Sequence, residues 1–254
     1  MAAAPIAERA GVVMMGVSAS PEITHAGDYI FRTNGVAASQ APALSGFMNQ
    51  QYSKIAVLQE QTDYAIGMGA SILGAYTGTV VDTETFLSSE SDFRTRLTRI
   101  KNTDAEAIFI IVQTAKKFDL IMKQMEEQQL QLPLVMDYIS KSAITAEDTY
   151  LSYLASLPGV YSADVVPTPQ GNALLERYRA RYGAEPSMPD QIAIFGDSVD
   201  MLYHAIAVAG TTDADAVRDA LYALQDYPGL QGVISFDANG DVYTPTVLQR
   251  FEGV

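Results

Sequence analysis

The sequence predicts an α/β protein built on parallel sheets flanked by helices. Strand-like and helix-like segments alternate from the N-terminus nearly to the C-terminus, with short connections. Some strand-like segments are continuously apolar, as strands buried on both faces are, and Ala107–Gln113 is the clearest of them. The helix-like segments are amphipathic: Asp92–Lys101 carries Phe93, Leu97 and Ile100 on one face. This alternation is typical of a sheet whose crossover connections are helices.

The predicted elements follow one another in a regular order. A short N-terminal helix leads into a strand. That strand ends at the turn residues Ser18, Ala19, Ser20 and Pro21. The predicted strands are, besides Ala107–Gln113, Val12–Val17, Tyr29–Thr33, Lys54–Gln59, Val80–Phe86, Leu134–Asp137 and Val160–Val166. The predicted helices are, besides Asp92–Lys101, Ala38–Gln50, Asp63–Tyr76 with Asp63 as its cap, Lys116–Gln128, Asn172–Tyr182, Ile192–Ala209 and Asp213–Ala223. At the C-terminus an Asn-Gly turn predicts a strand pair formed by Gly232–Phe236 and Tyr243–Phe251.

Composition excludes several classes of function. The chain has 254 residues, and its 30 acids outnumber 16 bases to give a net charge of −14, which opposes binding to nucleic acids and anionic membranes. Cysteine is absent and His25 and His204 are the only histidines, so thiol chemistry is excluded and a zinc site or a histidine-based triad is disfavoured. No glycine-rich phosphate loop occurs. We therefore predict no catalytic residue, no cofactor and no metal.

The sequence also bears on membrane insertion and export. It contains no run of eighteen apolar residues, so no transmembrane helix is predicted. The N-terminal segment lacks a basic first region, and Glu8 and Arg9 interrupt its apolar stretch. We therefore predict a short helix followed by a strand there rather than a signal peptide.

Polar residues that follow the predicted strands mark the candidate site. Ligands of parallel sheets bind beyond the carboxyl ends of the strands, so residues at those positions are expected to contact a solute. Polar residues gain little from a core, and we expect those that end the most apolar strand to line a cleft. The residues concerned are Ser18 and Ser20 after the first strand, Gln59 to Tyr64 after the third, Gln113 and Thr114 after the fifth, and Asp137 and Tyr138 after the sixth.

A set of segments spread over nearly the whole chain has the order found in one known family. The segments are AAAPIAERAGV followed by SASPEIT, then YIFRT, KIAVLQEQTDYAIGMG, SESDFRTRLTRIKNTDAEAIFI, FGDSVDMLYHAI and GVISFDANGD. In this order they resemble the leucine/isoleucine/valine-binding family of periplasmic ABC-transporter solute-binding proteins. No single segment is specific, and the ordered set carries the resemblance.

The resemblance implies a two-lobed receptor of the periplasmic type I class, each lobe a parallel sheet flanked by helices. Residues 1–50 and 165–232 would belong to the first lobe and residues 51–164 to the second, to which a terminal hairpin at 233–254 returns. A receptor of this kind is not an enzyme. It binds a small amino acid, branched-chain or related, in an interlobe cleft, closes around it and docks on a membrane permease. The implied location is periplasmic or extracellular.

The start of the chain departs from the family's pattern. The family opens with further strand-helix units and a serine-containing segment for the ligand carboxylate, and these are absent from the sequence. The first lobe is therefore expected to be incomplete, with an unpaired edge at Val12–Val17 and apolar helix faces exposed at Ile192–Ala209 and Asp213–Ala223. We expect a chain of this kind to self-associate and to bind its ligand more weakly.

The resemblance also suggests roles for the candidate site residues. The loop Ser18–Ser20 would bind a carboxylate through hydroxyl and N–H groups, although by itself it predicts only a turn. Tyr64 would place its ring against the ligand, unless it is a half-buried tyrosine at a helix start. If Asp137 faces the cleft, it would bind an ammonium group; if Tyr138 does, an aromatic acid or neutral amide fits better. Asp197 is expected to brace a helix rather than bind ligand.

Two other classes of protein share parts of this pattern. A ligand-sensing domain of a receptor or regulator has the same fold and would be joined to a transmembrane or DNA-binding segment. A cytoplasmic flavodoxin-like enzyme would show turnover with a cofactor. The 30 acids offer many carboxylate pairs of the glycosidase kind, but nothing in the sequence singles out one pair.

Overall fold

The computed structural model describes residues 2–18, 21–142, 144, 149–165, 168–186, 189–244 and 246–251. The chain divides into two compact units. The first unit comprises Met1–Ser39 and Val165–Thr246, and the second comprises Gln40–Asp164 and Val247–Val254.

The elements are numbered in chain order. The strands are β1 (Met14–Gly16), β2 (Ile30–Arg32), β3 (Lys54–Glu60), β4 (Thr79–Phe86), β5 (Ala107–Ile111), β6 (Leu134–Met136), β7 (Val160–Val165), β8 (Tyr227–Gly229), β9 (Gly232–Ile234) and β10 (Thr246–Arg250). The α-helices are α1 (Ala4–Arg9), α2 (Val36–Gln51), α3 (Asp63–Gly74), α4 (Arg94–Lys101), α5 (Ala115–Glu127), α6 (Tyr138–Ser142), α7 (Leu151–Ser156), α8 (Pro169–Tyr182), α9 (Pro189–Ala209) and α10 (Ala214–Tyr222). A 3-10 helix covers Pro21–Ala26.

A six-stranded sheet forms the centre of the second unit. Its strand order is β10-β7-β6-β5-β3-β4, and β3, β5 and β6 each pair in parallel with their neighbours between β4 and β7. All five residues of β5 are buried, as expected for a central strand covered on both faces. The core on one face includes Phe93, Leu97 and Ile100, the three residues that the amphipathic pattern placed together.

The first unit holds two small sheets. β1 and β2 pair in parallel, and β8 and β9 pair as an antiparallel hairpin. Phe31 on β2 belongs to a cluster with residues of α9 and α10, while Ile30 packs with α1 and the 3-10 helix. The β1–β2 sheet, which has two strands among the described residues, is therefore covered on both faces.

Most predicted elements are confirmed, with shifted ends. The Val12–Val17 strand shortens to Met14–Gly16, and Ala38–Gln50 extends to the helix Val36–Gln51. The helix α3 begins at Asp63, but its cap is Thr62, whose side chain accepts a hydrogen bond from the Ala65 N–H. The expectation that Asp63 caps this helix was therefore wrong; Asp63 lies in the first turn instead.

The predicted C-terminal strand pair does not form as expected. Tyr227–Gly229 is the antiparallel partner of Gly232–Ile234, and Thr246–Arg250 instead joins the six-stranded sheet beside β7. Around the Asn-Gly turn itself, the described residues form a single antiparallel bridge, between Phe236 and Val242. The hairpin β8–β9 thus belongs to the first unit, whereas residues 233–254 were expected in the second. The first crossing between the units also lies earlier than expected, within α2, between residues 39 and 40.

One helix segment among the described residues, Gln191–Ala209, is long and apolar enough to span a membrane by length and composition alone. It falls within α9, and less than a third of that stretch is buried. The sequence had predicted no such helix. A core helix of a soluble protein passes the same test, so this finding alone is weak evidence for a membrane span.

Candidate ligand-binding site

The carboxyl edge of the six-stranded sheet gathers polar residues from three neighbouring strands. β3 pairs with β5, and β5 pairs with β6, all in parallel. Glu60 ends β3, while Gln113 follows β5 and Asp137 follows β6 directly. Because parallel strands end at the same edge, these residues lie together, as the sequence predicted for the second unit.

A buried carboxylate, Glu60, organises the loop that follows β5. Its side chain is fully buried. One oxygen accepts the backbone N–H groups of Gln113 at 2.8 Å and Thr114 at 3.2 Å, and the other accepts the Thr114 hydroxyl at 3.2 Å. Thr114 precedes the first residue of α5, so the negative charge also faces the positive end of that helix. The sequence placed Glu60 among the residues Gln59 to Tyr64 that were expected to contact a solute, but it did not predict that this buried acid holds the loop after β5.

Gln113 and Thr114 present exposed side chains at this edge. The Thr114 hydroxyl is engaged by Glu60, whereas the Gln113 side chain makes no hydrogen bond with the described residues. Gln113 can therefore reach a bound solute with both its amide donor and its amide acceptor. The predicted cleft-lining role of this pair thus agrees with their exposure and remains a prediction.

Asp137 accepts hydrogen bonds on both of its carboxylate oxygens. One oxygen accepts the Tyr64 hydroxyl at 2.5 Å and the Ile139 N–H at 3.3 Å. The other accepts the Ser140 N–H at 3.2 Å and the Ser140 hydroxyl. Four donors fill the acceptor capacity of a carboxylate. This geometry suits a cap for the short helix α6 better than the ammonium partner that the sequence suggested.

Burial sets the protonation behaviour of this pair. Burial raises the pKa of the Asp137 carboxyl, and the hydrogen bonds from Ser140 and Tyr64 oppose that rise. Burial also raises the pKa of Tyr64 well above its usual value, with the charge of Asp137 adding to the effect. The Tyr64 hydroxyl is therefore a stable donor, and it orients the ring that was predicted to contact the ligand.

Tyr138 is almost fully buried, and its backbone N–H donates to the Gln40 Oε1 atom at 2.9 Å. Gln40 lies on α2 and is itself fully buried. Its Nε2 atom has no hydrogen-bond partner among the described residues. Sequence reasoning missed Gln40, because one glutamine within a helical stretch carries no signal of burial.

The loop Ser18–Ser20, which was predicted to bind a carboxylate, belongs to the first unit. Ser18 is half-exposed and follows β1, while Ala19 and Ser20 lie outside the described residues. Asp197, also in the first unit, accepts the backbone N–H groups of Leu230 at 2.6 Å and Gln231 at 3.1 Å. Asp197 therefore braces the β8–β9 turn, the kind of structural role expected for it.

The first unit also contains a groove of about 560 Å³ beside α9 and α10. His204 and Tyr227 line it with their rings 5.4 Å apart, together with apolar residues such as Val208 and Leu224. No group of three or more potential metal-ligating residues occurs among the described residues. The groove does not offer the set of convergent hydrogen-bonding groups found at the carboxyl edge of the larger sheet.

Several solved structures that are similar to this chain are those of solute-binding proteins. The leucine-binding protein LivK of Thermotoga maritima superposes with a TM-score of 0.79 at 21% identity, covering 96% of this chain and 71% of its own. The branched-chain amino-acid transporter substrate-binding protein LivJ of Streptococcus pneumoniae, solved with isoleucine, gives 0.77 at 25% identity, covering 98% and 71%. A solute-binding protein of an ABC transporter from Rhodopseudomonas palustris, solved with 3,4-dihydroxybenzoic acid, gives 0.82 at 20% identity, covering 98% and 70%.

The sequence itself supports the same assignment. A search of the curated proteins found no match. A comparison with protein families, in contrast, matches residues 1–252 to the periplasmic binding protein family. Because this match spans nearly the whole chain, the chain belongs to the periplasmic binding protein family.

Proposed function

We propose that this protein is the solute-binding receptor of an ABC transporter and that it binds a small carboxylate-bearing solute. The family match over residues 1–252 carries the proposal. The carboxyl edge of the second unit adds a physical reason, because buried, hydrogen-bonded polar groups fix the loops there and the exposed Gln113 amide can both donate and accept. In this proposal the two units are the two lobes of the receptor, the location is periplasmic or extracellular, a membrane permease is the partner and no reaction is catalysed.

The similar structures that were solved with a ligand suggest two kinds of solute. One was solved with isoleucine and another with 3,4-dihydroxybenzoic acid. Both ligands carry a carboxylate, and only the amino acid carries an ammonium group. We propose an amino acid, branched-chain or related, as the first candidate, in keeping with three similar structures named for leucine or branched-chain amino acids.

An aromatic carboxylate is the second candidate, and Asp137 favours it. An ammonium group needs an acceptor with free lone pairs, and both oxygens of Asp137 are occupied. Glu60 accepts three donors, and its remaining acceptor position lies on a fully buried side chain. A ligand without an ammonium group needs neither of them.

Calorimetric titration with isoleucine, leucine, benzoate, 3,4-dihydroxybenzoate and benzamide tests the proposal and separates the candidates. A thermal-shift assay gives a second measurement of binding, because a ligand at about 100 times its Kd adds roughly 2.7 kcal/mol to the free energy of unfolding. Heat with the aliphatic amino acids alone supports the first candidate, and heat with the aromatic acids alone supports the second. Absence of binding by the whole series, with a folded protein, contradicts the proposed ligand class.

A further inference from the structure

The chain crosses between its two units at three points. It passes from the first unit to the second between Ser39 and Gln40, returns between Asp164 and Val165, and enters the second unit again after Thr246. These points, the first, second and third crossings, lie within α2, at the end of β7 and at the start of β10. Residues at such points absorb the backbone rotations when two units of a receptor move, so contacts that hold them restrict that movement.

The short helix α6 holds the first crossing. The Gln40 Oε1 atom, on the second-unit side of this crossing, accepts the backbone N–H of Tyr138 at 2.9 Å. Gln40 is fully buried, so no bulk water competes for this hydrogen bond. Tyr138 is the first residue of α6 and directly follows Asp137. A side chain at the first crossing is therefore bonded to the backbone of the candidate site.

The other end of α6 holds the second crossing. The Lys141 ammonium forms an ion pair with the carboxylate of Asp164, the last residue of the second unit before the chain leaves it. The Asp164 side chain is 10% exposed and the Lys141 side chain 38%, so solvent and salt screen this pair only in part. One helix of five residues thus contacts the second-unit side of two crossings.

The third crossing adjoins the other two. The Thr246 hydroxyl donates to the Ser39 carbonyl at 3.0 Å, and both residues belong to the first unit. β10 begins at Thr246 and lies beside β7, which carries Asp164. A displacement at one crossing is therefore passed to the other two through direct contacts.

α6 is fixed to the candidate site as firmly as to the crossings. Asp137 accepts the N–H of Ser140 at 3.2 Å at the start of α6 and the Tyr64 hydroxyl at 2.5 Å. The Ser140 hydroxyl accepts the Val112 N–H at 2.9 Å, which ties α6 to the end of β5. Asp137 and Ser140 are fully buried. Because buried contacts join α6 to both regions, a shift of α6 moves the carboxyl edge and the crossings together.

We propose that Gln40 and Lys141 are positioning residues that couple the solute site to the crossings through α6. The inference rests on the proposed function, because it takes the carboxyl edge of the larger sheet as the solute site. A solute that shifts α6 changes the crossings, and by linkage a change at the crossings alters solute affinity by the same free energy. Gln40 and Lys141 therefore act on the solute through α6 and not by contact with it.

Hydrogen exchange without solute, followed peptide by peptide, tests the link itself. Lys141→Met removes the ion pair and keeps much of the side-chain length. It should speed exchange around Gln40 by at least about twofold, the lower end of coupling within one hydrogen-bond network. Lys141→Arg keeps the charge and should restore the native rates. Lys54→Met is the matched control, because Lys54 pairs with Asp104 at the start of β3, at the opposite edge of the sheet.

Gln40→Met tests the same link in the opposite direction. It removes the acceptor of the Tyr138 N–H, and it should speed exchange at the end of β7 around Asp164. The Lys54→Met control should leave the native rates in both regions. Circular dichroism checks that each variant is folded, and the Lys141 variants still test the link if Gln40→Met does not fold.

The response to solute separates coupling from a purely structural role. The peptides are followed with saturating isoleucine and, separately, with saturating 3,4-dihydroxybenzoate. In the native protein a bound probe should change exchange both at Gln61–Tyr64 and around Gln40. In Lys141→Met the response at Gln61–Tyr64 should persist, whereas the response around Gln40 should fall by at least about twofold. A purely structural role would change the two responses together.

The outcomes distinguish this inference from the proposed function. Native exchange around Gln40 in solute-free Lys141→Met contradicts the inference, and so does an equal effect of Lys54→Met. A probe that binds without changing exchange around Gln40 also contradicts it. If calorimetry shows that neither probe binds, the proposed ligand class is contradicted, while faster exchange around Gln40 in solute-free Lys141→Met still supports the link through α6.

Discussion

Two apolar segments of similar sequence character, Val12–Val17 and Ala107–Gln113, end up in different surroundings in the two units. The second segment becomes β5, with a strand on each side and every residue buried. The first becomes β1, with a neighbour on one side and its two methionines only half-buried. An apolar run therefore predicts a strand, whereas neighbouring strands decide how completely that strand is buried.

The same difference separates one phenylalanine of the second unit from one of the first. Phe118 on α5 is fully buried in the core of the second unit, and its ring lies 6.2 Å from that of Tyr150. Phe195 on α9 is more than half exposed. Phe118→Ala should therefore lower the free energy of unfolding by about 3–5 kcal/mol, whereas Phe195→Ala should change it by less than about 0.5 kcal/mol. Urea unfolding of the two single variants measures both losses, and similar losses would remove the distinction between the two positions.

Sequence reasoning was most successful where the pattern is local. The strands and helices from Lys54 to Glu127 were predicted within a few residues, because continuous apolar strands alternate there with amphipathic helices. The helices α6 and α7, of five and six residues, and the three-residue strand β8 were not predicted, since segments this short contain too few repeats of the helix or strand period. The pairing of β10 with β7 depends on contacts between residues far apart in sequence, which no local pattern encodes.

The sequence predicted which polar residues follow the strands of the larger sheet, and their contact with a solute stays a prediction. The rule for carboxyl ends of strands identified Gln113, Thr114 and Asp137. It could not show that the lone pairs of Asp137 are filled by Tyr64 and by the start of α6, nor that Glu60 holds the loop after β5. The expectation that α10 exposes an apolar face was wrong: Val217 and Leu221 are buried in the first-unit core.

Glu60 offers a test of whether the carboxyl edge is preorganised for a solute. Glu60→Ala removes a charged acceptor from two backbone N–H groups and should cost about 2–3 kcal/mol of stability, and it should also weaken solute binding. Glu106→Ala is the matched control, because Glu106 accepts the N–H groups of Ser53 at 2.6 Å and Lys54 at 3.2 Å but is exposed. Ser53 and Lys54 lie at the start of β3, so the control acts at the opposite edge of the sheet. Equal effects of the two variants on solute affinity would show that Glu60 does not position the site.

Asp137 and Asp197 are buried acids, one in each unit, and their Asn variants can be compared. Either Asp→Asn substitution places an amide donor where the native acid accepts N–H groups and should cost about 1–3 kcal/mol of stability. Only Asp137→Asn should change solute affinity, because Asp137 orients Tyr64 and the start of α6. Calorimetric titration of the two variants separates these effects. A larger loss of affinity in Asp197→Asn would instead place the solute in the first unit.

Both acids also predict a pH dependence of stability with a defined sign. Burial raises the pKa of each carboxyl above its usual value of 3.8. Between that value and the raised one, the folded protein binds more protons than the unfolded chain, so this contribution to stability falls as pH rises. In denaturant unfolding at a series of pH values, the free energy of unfolding should fall less steeply with rising pH in Asp137→Asn than in the native protein. An unchanged slope would mean that Asp137 ionises normally in the folded protein.

Hydrogen exchange with and without saturating solute, followed peptide by peptide, tests most directly that the solute binds at the carboxyl edge of the larger sheet. The account predicts ligand-dependent protection at Gln61–Tyr64, at the start of α5 around Lys116 and at Ile139–Ser140. Peptides from the groove around His204 and Tyr227 in the first unit should exchange at the same rate in both states. Protection confined to that groove, with the carboxyl edge unchanged, would contradict the account.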